Sequence, residues 1–62
     1  MAQVIGTSWN GNLMVFDNFT GDWKSFDNFT PSESADKSTL RWGMRVAMEK
    51  QYAITDIRIV KF

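Results

Sequence analysis

Leu13-Met14-Val15-Phe16-Asp17-Asn18-Phe19-Thr20-Gly21-Asp22-Trp23-Lys24-Ser25-Phe26-Asp27-Asn28-Phe29-Thr30 carries one pentapeptide twice. Phe16 to Thr20 returns unchanged as Phe26 to Thr30, ten residues further on. That spacing is about one short strand plus its turn. The stretch is too polar and too broken by glycine to be a helix, so it reads as two strands, 13–19 and 23–29. Thr20-Gly21-Asp22 is the turn between them.

Upstream, residues 3–9 read as a further strand. Asn10-Gly11 then gives a strong hairpin signal, because both residues tolerate positive φ. Downstream, Pro31 ends the meander and residues 30–36 form a polar loop. Ser32, Ser34, Asp36 and Ser38 are candidate helix caps. A helix is expected over about 37–51, with Leu40, Met44, Ala47 and Gln51 on one face beside Gly43. Arg41, Arg45 and Glu49 lie opposite, where Arg45 and Glu49 are placed to pair. Trp42 and Val46 fall on a shoulder. Gly43 costs about 1 kcal/mol against alanine in mid-helix, which points to close approach to the sheet. Residues 56–62 alternate as a last strand, with Ile54 packing in the connection before it. The chain reads as one domain, 1–62, of the α+β class: β-β-β-α-β, a small antiparallel sheet with one helix on one face.

Strand side chains alternate between faces. A two-residue Asn10-Gly11 turn pairs Ile5 with Phe16 and Thr7 with Met14. A three-residue second turn sets Phe16 beside Phe26. One face then carries Leu13, Val15, Phe19, Trp23 and Phe29, and the other Ile5, Trp9, Met14, Phe16 and Phe26. One helix covers one of these faces. The aromatic face left over admits three outcomes: a homodimer, a macromolecular partner, or a sheet curled around a single core.

The chain has 62 residues, no cysteine and no histidine. Disulfides and thiolate zinc sites are excluded, as are the commonest general base and metal ligand. The start Met1-Ala2-Gln3-Val4 shows no leader pattern, and no apolar run approaches the roughly 18 residues of a membrane span. A cytoplasmic protein is expected. Five Phe, three Trp and one Tyr are many for so thin a core, so some should lie at the surface. Net charge is zero but segregated: −4 over residues 1–36 and +4 over 37–62. The halves either compensate each other on packing or leave two patches, one of which steers a partner.

Asn18-Phe19-Thr20 and Asn28-Phe29-Thr30 match the glycosylation pattern, but read better as strand-end Asx chemistry. Asp17, Asp22 and Asp27 do not have EF-hand spacing and suit an acidic edge. Phe16, Trp23 and Phe26 suggest a stacking platform for single strands, against which the same aspartates would repel phosphate. Arg41, Trp42 and Arg45, with Lys37 a turn before, fit either phosphates or a protein hot spot. Nothing suggests catalysis, a cofactor or a metal, and so short a chain should hardly enclose a pocket of about 300 Å³.

Ser38-Thr39-Leu40 opens the helix, Ala47 lies within it, Tyr52 ends it, and Ile57-Arg58-Ile59 forms the closing strand. In these residues the second half resembles small early proteins of lytic bacteriophages, above all short inhibitors of bacterial RNA polymerase. The resemblance implies a non-enzymatic module in the host cytoplasm that docks on a host protein and occludes its working surface. The residues expected to meet that partner are Asp17, Asp22, Trp23, Phe26 and Asp27 on the meander, and Arg41, Trp42 and Arg45 on the helix. A nucleic-acid-binding module using the basic helix, or a homo-oligomer, are the alternatives.

Overall fold

The computed structural model describes residues 1–28 and 34–61. Strands β1 (Ala2–Thr7), β2 (Leu13–Asp17), β3 (Asp22–Ser25) and β4 (Thr55–Lys61) form one antiparallel sheet in the order β3-β2-β1-β4. Helix α1 (Lys37–Glu49) packs on one side. The α+β class and the β-β-β-α-β order therefore stand as read from the sequence. The third strand is shorter than expected: it ends at Ser25, and Phe26–Asn28 form a single 3-10 turn. Phe29, Pro31, Ser32 and Phe62 lie outside the described residues.

The first hairpin is not the two-residue turn. Ser8 N–H donates to the Asn12 carbonyl at 2.9 Å, and Gly11 N–H donates to the Ser8 carbonyl at 3.0 Å. Gly11 has φ +88°. This is a three-residue loop with glycine in the left-handed position. It pairs Ile5 with Val15, Gly6 with Met14 and Thr7 with Leu13, one residue away from the expected register. The second turn is also longer: Gly21 N–H donates to the Asp17 carbonyl at 2.8 Å, and Phe16 pairs with Trp23 rather than Phe26.

A one-residue slip moves a strand's side chains to the other face of its neighbour. The consequence is large. Phe16 and Trp23, expected on opposite faces, share one, with their rings 5.5 Å apart and edge-on. α1 covers that face, and the core is Val4, Phe16, Trp23, Val46 and Ala47. The other face carries the row Lys24-Val15-Ile5-Arg58, in which Val15 and Ile5 are buried. Among the described residues the uncovered face carries no aromatic side chain, so the open aromatic face offered to a homodimer or a partner is corrected there.

α1 starts as a capping box. Thr39 N–H donates to Asp36 Oδ1 at 3.0 Å, and Asp36 N–H donates to Thr39 Oγ1 at 3.5 Å. Each bond satisfies a backbone donor that the first turn leaves open. The helix ends in a Schellman motif: Tyr52 N–H reaches the Ala47 carbonyl at 2.9 Å and Gln51 N–H the Met48 carbonyl at 3.2 Å, with Gln51 at φ +59°.

The buried stripe is Thr39, Gly43, Val46 and Ala47, whereas Met44 and Gln51, expected inside, face outward. Gly43 sets this rotation. A Cβ there would lie 3.1 Å from Phe16 Cγ and 3.2 Å from Trp23 Cζ2, so the helix backbone lies close against both rings here. Trp23 Nε1–H donates to the Gly43 carbonyl at 2.9 Å, fixing the contact.

β4 meets β1 through a bulge. Asp56 and Ile57 oppose Gly6, and Asp56 has φ +55°. Ile54 packs against Gly6 so closely that a Cβ there would lie 2.5 Å from the isoleucine methyl.

Candidate functional site

Two of the three meander aspartates are engaged inside the fold. Asp17 is buried, pairs with Lys24 Nζ at 2.8 Å and accepts from Phe19 N–H at 2.9 Å. The bond from Lys24, with help from the Phe19 amide, holds its carboxyl below the ordinary aspartate range. Asp22 accepts from Lys50 Nζ at 3.1 Å, Tyr52 Oη at 3.0 Å and its neighbour Trp23 N–H at 2.8 Å. Lys50 foremost, then the Trp23 amide, depresses its pKa, and the same bond raises that of Lys50.

Asp22 therefore clasps the C-terminal end of α1 to β3, joining the acidic and basic halves. Trp23 is buried with its ring N–H satisfied by Gly43. It is a core residue, so its expected role in meeting a partner is corrected. Phe26 is half-buried in the 3-10 turn and Asp27 is exposed there. The acidic, aromatic meander is not one presented surface.

The outward face of α1 is different. Arg41 and Arg45 are exposed. Among the described residues neither has an ion-pair partner, and the expected Arg45–Glu49 bridge is not formed. Met44 and Met48 are 44% and 80% exposed. Trp42 is half-exposed. Its ring meets Phe16 edge-on at 5.0 Å, and a Cβ on Gly21 would lie 2.7 Å from it. The turn it covers carries Phe19, also exposed. Arg41, Trp42 and Arg45 are all exposed on α1, with Met44 and Met48 on the side of the arginines away from Trp42 and Phe19 on the turn that Trp42 covers. The methionines escaped the sequence reading because their spacing suits a core stripe equally well. Gly43, read as the centre of the contact, would have turned them outward.

A cleft of about 340 Å³ opens at the other end of the sheet, lined by Trp9, Met14, Trp23, Tyr52, Ala53 and Ile54, with Ser8. It is larger than so short a chain was expected to form, but it is an open recess lined mainly by apolar groups. Its hydroxyls are engaged, Ser8 with Asn10 and Tyr52 with Asp22. Trp9, expected at a strand end, stands exposed at the hairpin tip instead. Among the described residues, no three Asp or Glu side chains gather to hold a metal ion, and no helix is long and apolar enough to cross a membrane.

No protein-family model matches the chain, and neither a curated protein nor a solved structure matches it.

Proposed function

We propose that this chain is a small protein-binding module, an inhibitor or modulator that docks on a bacterial host protein and occludes its working surface. The observation that carries the reading is the composition of the exposed face of α1, where Arg41, Met44, Arg45 and Met48 lie together and Trp42 flanks the arginines beside the turn that carries Phe19. Aromatic residues, methionine and arginine are the types that concentrate at the centres of protein interfaces. Methionine side chains are also flexible enough to fit a partner's irregularities. Docking through α1 is favoured over the meander because Asp17 and Asp22 already have partners within the fold. The inhibitory role and the bacterial host rest on the resemblance of the second half of the chain to short phage inhibitors.

Affinity capture from a bacterial lysate, with the wild type and Met48→Asp as parallel baits, tests this. Met48 is exposed, so the variant keeps the core intact. One protein should be held by the wild type and lost by the variant, and its activity should fall when the chain is added. If no protein distinguishes the baits, the reading fails. An oligonucleotide shifted by the wild type but not by an Arg41→Glu, Arg45→Glu variant would put a nucleic-acid-binding module in its place. A stable dimer by sedimentation, abolished by Met48→Asp, would put a homo-oligomer there.

A further inference from the structure

We infer that the exposed face of α1 is shaped and charged to receive an acidic, amphipathic helix of the partner protein. This deepens the protein-binding reading and rests on it. Arg41 and Arg45 form one row of residues four apart, and Met44 and Met48 form the next row beside it. Residues four apart rise about 6 Å along a helix. Such rows are the ridges that a second helix takes into its grooves. The partner that fits carries an aliphatic pair four apart, which settles between the methionines. It also carries two carboxylates four apart, at the same rise as the two arginines.

Arginine suits this pairing because its planar fork meets a carboxylate through two hydrogen bonds. The charge on α1 is lopsided: Lys37, Arg41 and Arg45 face a single acid, Glu49. No described residue forms an ion pair with either arginine, and carboxylates on an incoming helix would meet both. Nucleic acid would answer the arginines but not the methionines, since a phosphate backbone offers Met44 and Met48 no apolar surface to cover them.

The test uses the intact chain and a synthetic helical peptide with glutamates four apart beside a leucine stripe. Amide shifts in NMR should move at Arg41, Met44, Arg45 and Met48. Affinity should fall about tenfold between roughly 50 and 300 mM salt. Arg41→Glu with Arg45→Glu should abolish binding, and the same peptide with lysine for glutamate should restore it to that variant. Shifts mapping elsewhere, equal binding of both peptides by the wild type, or tighter binding of a thymidine oligonucleotide or of phosphatidylglycerol vesicles would overturn the inference.

The two proposals fail separately. A lysate protein lost by Met48→Asp but held by the double arginine variant upholds protein binding and overturns the acidic helix. Peptide binding with the charge swap intact, but no lysate protein distinguishing the baits, upholds the surface preference and overturns the proposed function.

Discussion

Gly43 and Gln51 sit eight positions apart on one chain segment and make opposite demands on it. At Gly43 a methyl group would gain about 1 kcal/mol of helix propensity. It would also press on the buried Phe16 and Trp23 rings at 3.1 and 3.2 Å. Overpacking of that kind costs about 1–3 kcal/mol. Gly43→Ala should therefore destabilise by about 1 kcal/mol in urea titration; unchanged or increased stability would show that the rings yield. Gln51 is exposed and holds the left-handed position of the Schellman motif at φ +59°. Glycine takes that conformation without steric cost, so Gln51→Gly should raise stability by about 0.5–1 kcal/mol. A fall would mean that the glutamine side chain makes a contact worth more than the strain. The close approach at Gly43 was legible in the sequence, because a glycine in the middle of a periodic helix has few other uses. The αL glutamine was not, since the motif forms from backbone bonds and leaves no mark on residue type.

At the scale of elements, type and order were legible and register was not. Hydrophobic alternation and Asn10-Gly11 announce the strands and the turn. Whether a hairpin loop has two or three residues depends on backbone twist, which residue names do not record. In the second hairpin the loop is longer than the three residues expected, and that put Phe16 and Trp23 on one face. It also decided that one helix suffices to cover both. The stretch from Ser25 to Asn28 shows a related limit. Its repeat of Phe-Asp-Asn suggested a strand like the first copy, yet it turns as a 3-10 segment. The first copy likewise leaves its strand after Asp17, so both copies mark strand ends.

The joint between α1 and β3 has its own consequence. Asp17 and Asp22 are held below the ordinary carboxylate value, so each adds stability that is fully present above its unfolded pKa. That stability is lost as pH falls through the folded value, in the region below about pH 4. Lys50 is raised, so its contribution is complete below its unfolded pKa and fades only in strong alkali. Thermal melts should be flat near neutrality and fall on the acid side. Asp22→Asn should flatten that fall, and it should loosen the end of α1, read as faster amide exchange at Lys50 to Tyr52. An unchanged acid limb in both Asp22→Asn and Asp17→Asn would assign the fall to other groups.

On the scale of the whole molecule, a four-stranded open sheet has two edges, and each is a template for another strand. β3 limits its edge by length, with four residues. β4 is longer, seven residues with Ile57, Ile59 and Val60 among them, and is protected by a different device. The bulge at Asp56 breaks the regular row, and Arg58 Nη1 turns back to donate to the Asp56 carbonyl at 2.8 Å and to its carboxylate at 3.1 Å. The Asp56 carbonyl is thereby occupied, and a charge stands on the edge strand beside the bulge. In the sequence Arg58 only adds to the positive charge of residues 37–62, because a bulge at a position occupied by aspartate carries no signature that alternation would reveal. Arg58→Ser removes both the charge and the bond to the carbonyl while leaving the core face of β4 untouched. The weight-average mass in sedimentation should then rise with concentration more steeply than for the wild type. Arg58→Lys, which keeps the charge but not the planar fork, should lie between the two. Equal concentration dependence in all three would show that the bulge alone keeps this edge from pairing.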